Sequence, residues 1–279
     1  MAETSSIIYR AADRIARITL NRPEKRNALS GALRDEIVAA LREAERDDAV
    51  SIVLIDGAGP SFCSGYDITP DGSGRPAEYI SQRWFDGWSD QFTRSCLRDW
   101  LTIWDLLKPV VAKVHGHCLA GGTELMSMCD IAFVADDALI GYPPMRGMTT
   151  PDVPYFPWKM PMARAKYLQL TGNSISGKQA AEWGWVAKSF PADRLEEEVQ
   201  RELRALASVS PDLLAANKLS LNQTYEIMGF RAAMMTAPQW HALSSQLRPG
   251  AGEFGRISRE QGLRAALDWR DKPFREVGL

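Results

Sequence analysis

The first third of the chain alternates between strand-like and helix-like patterns of apolar residues. Apolar and polar side chains take turns over residues 15–20, which predicts a strand that ends at the turn Asn21-Arg22-Pro23. Ser30 precedes apolar residues at helical spacing, so we expect it to cap an amphipathic helix. The β-branched run from Val50 to Ile55 lacks alternation, which indicates a strand covered on both faces.

The alternation of predicted strands and helices continues into the middle of the chain. A helical, aromatic-rich pattern over residues 77–107 ends where Pro109 forbids continuation. Residues 110–114 and 131–134 predict strands on either side of a short helix at 121–128. Strands and helices are therefore interleaved, which is typical of an α/β fold.

Regularity stops at a proline-rich segment. Six prolines between residues 143 and 161 predict an irregular loop, because proline lacks the backbone donor that helices and sheets use. Helical patterns dominate beyond the loop, at 162–170, 177–184, 194–207 and on through Ala242. We therefore divide the chain into a core at residues 1–200 and a helical C-terminal region at 201–279.

Composition excludes several classes of partner. The 33 basic and 35 acidic side chains give a formal charge of −2, so there is no electrostatic reason to expect nucleic acid or an anionic membrane. The chain has neither a secretory pattern at its start nor an apolar run of about 18 residues, and we expect a cytoplasmic protein with no membrane partner. The four cysteines match neither zinc-site nor disulfide spacing.

Two glycine-containing turns follow the two clearest strands, at residues 61–67 and 120–124. Glycine lets the backbone approach a ligand closely, and the start of a helix leaves N–H groups without internal partners. If the turns converge, the N–H groups of Ser64 and Gly121 would stabilise the oxyanion of a thioester enolate, with Glu124 beside the reacting carbons. The alternative is that each turn is structural and that Glu124 only balances the helix dipole.

Several motifs resemble those of the crotonase family, also called the enoyl-CoA hydratase/isomerase family. They lie at residues 21–29, 62–68, 108–116, 120–131, 170–181 and 187–191. The likeness runs in order over the chain from about residue 7 to residue 200. It implies a spiral of strand–strand–helix units with a helical C-terminal region, which assembles as a homotrimer or a dimer of trimers.

The resemblance also implies roles for individual residues. By it, Ser64 and Gly121 donate the two N–H groups of the oxyanion hole, and Glu124 is a catalytic acid/base. The substrate is then an acyl-CoA thioester, with no metal and no cofactor besides the coenzyme A that the substrate carries. The residues implied to line the thioester and coenzyme A are Arg22, Lys25, Arg26, Ala28, Ser64, Gly65, Tyr66, Asp67, Ile68, Gly121 and Tyr142.

Some of these residues have structural alternatives. Arg22, Lys25 and Arg26 would meet phosphates as charge-assisted partners, or they form a solvated basic turn. Tyr66 and Tyr142 would hydrogen-bond the substrate, or they pack in the core.

Histidines and tryptophans give weaker signals. His115 and His117 have a spacing that permits metal ligation, but no third ligand is evident and we expect a structural role. An aromatic stripe at helical spacing would shape a site for a bulky acyl group, or it packs the helix. Its members are Trp84, Trp88, Phe92, Trp100 and Trp104.

The chain departs from the family at one important place. Hydratases of this kind carry a second glutamate in a Pro-Glu context, where this chain reads Gly141-Tyr142-Pro143-Pro144-Met145. Hydration needs one group to activate water and another to protonate the α-carbon, whereas a single glutamate can serve an isomerase. Asp152 lies a few residues on, where several relatives of other activities carry an aspartate. It is a candidate replacement, or else a turn or capping residue.

The function that follows is reversible hydration of a 2-enoyl-CoA, with Glu124 and Asp152 as the catalytic pair. Double-bond isomerisation and C–C hydrolysis through the same enolate stay open because the second glutamate is missing. A protein that binds acyl-CoA without turning it over is the alternative from a different class.

Overall fold

The computed structural model describes residues 5–68, 91–247 and 252–278, and its strands form two sheets. The larger sheet contains, in spatial order, β1 (Ile7–Ala12), β2 (Ile15–Leu20), β3 (Ile52–Gly57), β4 (Val110–Val114), β6 (Ile131–Ala135) and β9 (Lys188–Phe190). The smaller sheet contains β5 (His117–Leu119), β7 (Leu139–Gly141) and β8 (Ser174–Ser176). The described α-helices are α1 (Gly31–Arg46), α2 (Gln91–Asp105), α3 (Gly121–Met128), α4 (Phe156–Lys159), α5 (Met162–Thr171), α6 (Gly177–Glu182), α7 (Leu195–Ala207), α8 (Pro211–Ile227), α9 (Phe230–Met234), α10 (Ala237–Leu247), α11 (Glu253–Gln261) and α12 (Leu263–Glu276).

The larger sheet begins with an antiparallel hairpin and continues in parallel. β1 pairs antiparallel with β2, and the pairs β2–β3, β3–β4, β4–β6 and β6–β9 are parallel. β4 is buried along its whole length, as is β3 up to its last residue, Gly57. The strands predicted at 15–20, 110–114 and 131–134 are thus confirmed, whereas the sequence pattern did not predict β1.

The helix that joins β2 to β3 forms as its sequence predicts. Ser30 accepts a hydrogen bond of 3.2 Å from the N–H of Leu33, and such a cap contributes about 1 kcal/mol. Leu33, Ile37 and Leu41 are fully buried on the face that packs on the core. The predicted cap and apolar face are confirmed.

A cluster of four charges ties α7 to the edge of the core. Lys113 lies 3.0 Å from Asp56 and also pairs with Glu196, which Arg17 contacts at 3.1 Å. Burial alone would raise the pKa of Glu196, but the hydrogen bonds and charges of Lys113 and Arg17 lower it to about 2. The Glu196 carboxylate is therefore held in its ionised form by one basic side chain from β2 and one from β4.

The region after the proline-rich loop is mostly helical, as predicted, and it also contributes the short strands β8 and β9. The loop itself contains a 3-10 turn at Pro143–Arg146 and the single turn of α4. The predicted boundary at residue 200 falls inside α7, whose Val199 and Leu203 belong to the main core, and the division into two regions stays a prediction. Over the described ranges, no helix is long and apolar enough to cross a bilayer.

Candidate active site

The two glycine-containing turns converge, which is the condition on which the predicted oxyanion hole depends. Cys63 forms a parallel bridge with Cys118 on β5, through Cys63 N–H to His117 O at 3.0 Å and Leu119 N–H to Cys63 O at 3.0 Å. A methyl group added to Gly65 would lie 2.8 Å from the Cβ of Ala120. The first turn is therefore seated directly against the start of α3.

Glycine is required at two of these positions by close approach. Gly65 has φ of +106°, which side chains rarely adopt, and Gly121 faces the ring of Tyr66, which an added Cβ would approach to 2.7 Å. Ala120, between β5 and α3, has φ of +50° and ψ of −124°, an uncommon conformation for a residue with a side chain. Backbone strain of this kind is concentrated at functional sites.

The backbone N–H groups that are available at this junction are not the ones that were predicted, because Ser64 is not among them. The Ser64 N–H donates to the carbonyl of Arg26 at 2.9 Å, so it is already used. In the parts of the chain that the structure describes, no backbone hydrogen bond uses the N–H of Tyr66 or of Gly121. The two available donors are therefore those of Tyr66 and Gly121, and the assignment of Ser64 as a donor has to be corrected.

Glu124 lies in the first turn of α3 and is fully buried. Its Oε2 accepts a 2.5 Å hydrogen bond from the hydroxyl of Tyr66. Its Oε1 accepts backbone hydrogen bonds from Asp152 at 2.8 Å and from Val153 at 3.3 Å. The carboxyl group is thus held between the first glycine turn and the proline-rich loop.

The pKa of Glu124 is raised to about 8. Burial is the main cause because it disfavours the charged form, and the negative charge of Asp152 is the second. The hydrogen bonds from Tyr66 and from the two backbone N–H groups act in the opposite direction. A carboxyl group with this pKa carries a proton near neutral pH and can deliver it.

Asp152 lies in the same buried cluster as Glu124. Its Oδ1 accepts a 2.5 Å hydrogen bond from the hydroxyl of Thr93 on α2 and lies 3.6 Å from Nε2 of His241 on α10. Its Oδ2 lies 3.5 Å from the hydroxyl of Tyr142. The carboxyl group predicted as a replacement for the missing glutamate is therefore next to Glu124, and its catalytic role stays a prediction.

Tyr66 and Tyr142 contact the carboxyl groups, which bears on their predicted role with the substrate. Tyr66 accepts a 3.0 Å hydrogen bond from Nε1 of Trp100 and donates to Glu124. Tyr142 is buried beside Asp152. Both side chains thus belong to the hydrogen-bonding network of Glu124 and Asp152, and their contact with the substrate stays a prediction.

The predicted coenzyme A loop contains one arginine that is already paired. Arg22 donates to the carbonyl of Ala28 at 2.6 Å and to Asp67 at 3.0 Å, so it holds the loop against the first glycine turn. Its predicted contact with a phosphate of coenzyme A stays a prediction. Lys25 and Arg26 are exposed, and their contact with phosphates stays a prediction. Ile68 is also exposed.

The histidine pair has structural contacts rather than a shared ligand. His115 Nε2 lies 2.8 Å from the carbonyl of Gly59, and His117 Nδ1 lies 3.2 Å from the hydroxyl of Ser61. Within the described ranges, no group of three or more histidine, cysteine or acidic side chains is placed to hold a metal.

The described members of the aromatic stripe have two different surroundings, the hydrogen-bonding network of Glu124 and the packing against α9. Trp100 belongs to the network of Glu124, and the Phe92 ring packs edge-on against Tyr66 at 5.1 Å between centroids. Trp104 instead stacks on Phe230 of α9 at 3.9 Å. The predicted members Trp84 and Trp88 lie outside the described residues.

Two residues of the site were missed by the sequence reasoning. Thr93 and His241 both contact Asp152, from helices that are far from it in sequence. His241 is one of only three histidines in the chain, and this rarity was the one signal that pointed to it.

Comparison with known proteins is consistent with this geometry. The family model described as enoyl-CoA hydratase/isomerase matches residues 10–248. EchA13 of Mycobacterium tuberculosis, whose name places it among enoyl-CoA hydratases, is 31% identical over 296 residues, which cover 97% of this chain and 90% of that protein. The mitochondrial enoyl-CoA hydratase of Pongo abelii is 30% identical over 93% of this chain and 83% of its own. A crystal structure of an enoyl-CoA hydratase from Mycobacterium smegmatis superimposes with a TM-score of 0.88 at 30% identity, covering 99% of this chain and 97% of that one.

Proposed function

We propose, from the premise that this chain belongs to the enoyl-CoA hydratase/isomerase family, that it catalyses the reversible hydration of a 2-enoyl-CoA. The observation that carries the proposal is the pair of buried carboxyl groups, Glu124 and Asp152, in one hydrogen-bonding network beside two unused backbone N–H groups. Acyl-CoA processing is common to the family, and hydration is the specific reaction that we propose.

The N–H groups of Tyr66 and Gly121 form the oxyanion hole in this proposal. They belong to turns that touch each other, and no backbone carbonyl of the described residues takes them. Adding water to the β-carbon places negative charge on the thioester oxygen, and each well-placed donor stabilises it by roughly 3–4 kcal/mol. Gly65 and Gly121 allow the close contact between the turns.

Glu124 and Asp152 divide the proton transfers between them. The pKa of Glu124, raised to about 8, makes it the acid that protonates the α-carbon. Asp152, whose Oδ1 accepts a hydrogen bond from Thr93, acts as the base that takes a proton from water. The water oxygen bonds to the β-carbon while the double-bond electrons move to the thioester oxygen as an enolate, and Glu124 then protonates the α-carbon. The proton taken up by Asp152 returns to Glu124 through solvent before the next turnover.

This division of labour accounts for the missing second glutamate. The Pro-Glu position of the related hydratases holds Pro144 here, which cannot transfer a proton. Asp152 lies in the same proline-rich loop. Its backbone N–H donates to Glu124, and this contact keeps the Asp152 carboxyl group next to Glu124. Because hydration changes no overall oxidation state, the proposal needs no redox cofactor, and coenzyme A enters only as part of the substrate.

We also propose that the chain assembles as a homotrimer or a dimer of trimers, in the cytoplasm. Support comes from apolar side chains left exposed on and just after α8, of which Leu221, Ile227 and Met228 are each more than 60% exposed. Light scattering coupled to gel filtration tests the assembly. A mass of three or six chains is expected, and a monomer at micromolar concentration would contradict it.

A panel of thioesters in heavy water tests the reaction. We expect 2-enoyl-CoA substrates to gain one molecule of water with deuterium at the α-carbon, detected by mass spectrometry. Deuterium exchange with 3-enoyl-CoAs but no gain of water would indicate an isomerase, and ring opening of a cyclic β-keto-acyl-CoA would indicate a C–C hydrolase. Binding of all thioesters without any chemical change would indicate a protein that only binds acyl-CoA.

A further inference from the structure

We propose that the side chain of Tyr66 is a positioning residue that fixes the one oxygen of Glu124 through which the proton moves. This inference rests on the proposed function for its chemistry, but it is carried by the hydrogen bonds around Glu124. Neither the family model nor the relatives' names assign a role to this side chain.

Trp100 sets the direction of the Tyr66 hydrogen bond. An indole N–H can only donate, so the 3.0 Å contact from Trp100 Nε1 requires the Tyr66 oxygen to accept. The hydroxyl proton of Tyr66 is then directed to Oε2 of Glu124 at 2.5 Å. Burial raises the pKa of Tyr66 well above its usual value, so this proton stays on the phenol.

The remaining contacts distinguish the two oxygens of Glu124. A carboxylate has about four lone-pair sites, two on each oxygen. The N–H groups of Asp152 and Val153 both donate to Oε1, and Tyr66 takes one site on Oε2. Both backbone donors thus fall on Oε1, so Oε2 is the oxygen that carries the transferred proton. The hydroxyl of Tyr142 is a further hydrogen-bonding neighbour of this carboxyl group.

The same residue connects the acid to the oxyanion hole. The backbone N–H of Tyr66 is one of the two proposed hole donors, and its hydroxyl holds Glu124. Its ring cannot swing away easily, because it packs on Gly121 and edge-on against Phe92. Tyr66 therefore sets the geometry between the thioester oxygen and the proton donor.

Several titratable or charged groups surround this contact and have to be considered in any pH profile. Asp152 from the loop raises the pKa of Glu124, and the hydroxyls of Tyr142 and Tyr155 lie near both. Cys96 on α2 lies beside Tyr66, and the buried guanidinium of Arg34 is 5.9 Å from its ring. His241 faces Asp152 from α10.

The substitution Tyr66→Phe tests the proposal with little change of volume. We expect kcat to fall by about 10- to 100-fold while KM changes little, because the ring and the backbone donor remain. The pKa of Glu124 should rise, since a hydrogen bond that stabilises its ionised form is lost. Deuteration at the α-carbon, read by NMR, should become less stereoselective, which a purely structural role would not cause.

Tyr167→Phe is the matched control. It also removes one tyrosine hydroxyl, which accepts a 2.9 Å hydrogen bond from the side chain of Asn173, and it should leave kcat and the pKa of Glu124 unchanged. If Tyr66→Phe retains the wild-type kcat, pH profile and stereoselectivity, the proposal is wrong.

Two measurements do not depend on turnover, and the second of them needs no variant. Carbon-13 NMR of labelled glutamate should give the Glu124 carboxyl a higher pKa in Tyr66→Phe than in the wild type, even if no enoyl-CoA is hydrated. In the wild type, the Tyr66 hydroxyl proton should exchange slowly with solvent and show contact with Glu124. A rapidly exchanging hydroxyl would overturn the proposal, whereas absent hydration alone would overturn only the proposed function.

Discussion

The backbone N–H of Asp152 donates a 2.8 Å hydrogen bond to Oε1 of Glu124. The residue that supplies the second carboxyl group therefore also holds the first one in place. This contact joins α3, which follows the second glycine turn, to the proline-rich loop. In the proposed reaction, this contact brings together two acids that are 28 positions apart in the sequence.

Replacing Asp152 by Asn separates the carboxyl group from the backbone contact. The N–H bond to Glu124 persists, so we expect acyl-CoA binding to change little while hydration falls by about 100-fold or more through loss of the base. The pKa of Glu124 should also fall, because a neighbouring negative charge is removed. Steady-state kinetics over pH measure both effects. Asp137→Asn, at an exposed position, is the control, and unchanged hydration in Asp152→Asn would remove this residue from the mechanism.

Gly65→Ala should disturb the junction of the two turns. The new methyl group would lie 2.8 Å from Ala120 Cβ at a φ of +106°, and we expect a loss of about 1–3 kcal/mol in unfolding free energy. The value of kcat/KM should fall more than about 10-fold because the two hole donors move apart. Gly229→Ala is the matched control, since Gly229 has a φ of +96° but no atom near its added Cβ. Equal effects of the two substitutions on kcat/KM would argue against the hole.

Glu196 should stabilise the fold in acid. Its pKa is about 2 in the folded chain and near 4.5 in the unfolded one, so its contribution is complete above about pH 4.5 and is lost as the pH falls towards 2. The side chain is about half exposed, which limits the contribution to less than about 1 kcal/mol. Chemical denaturation at pH 7 and pH 3 should show Glu196→Gln less destabilised, relative to wild type, at pH 3. The control is Glu202→Gln on the same helix, and a difference that does not depend on pH would contradict this account.

Glu124 should have the opposite effect on the pH dependence of stability. Its pKa rises from 4.5 to about 8 on folding, so the folded chain binds more protons between these values and loses stability as the pH rises through them. Glu124→Gln removes this dependence and should become more stable relative to wild type with increasing pH, by on the order of a few kcal/mol. Denaturation at pH 5 and pH 8 measures the change. A constant difference would mean that Glu124 is ionised throughout.

The local features of the site could be predicted from the sequence. The start of α3, the glycines beside it and Glu124 in its first turn are fixed by neighbouring residues, and they were identified correctly. The first donor of the oxyanion hole could not be predicted. The choice between Ser64 and Tyr66 depends on whether the distant carbonyl of Arg26 accepts a hydrogen bond from the N–H group.

The contacts of Asp152 could not be predicted for the same reason. Thr93 and His241 reach it from α2 and α10, and no periodicity in the sequence relates these helices to the loop. For Arg22 the sequence offers a phosphate contact or a solvated turn, and it does not predict the ion pair with Asp67, which lies 45 residues away. Short-range patterns specify strands, helices and turns, whereas tertiary packing decides which polar groups remain available.

The most direct measurement compares wild type and Glu124→Gln with a 2-enoyl-CoA in heavy water. The account predicts that wild type adds one molecule of water and places deuterium on the α-carbon. Glu124→Gln should bind the same thioester with a similar Kd but lose nearly all of both changes, because it has no proton to deliver. Wild-type rates of water addition and α-deuteration in Glu124→Gln would contradict the central claim.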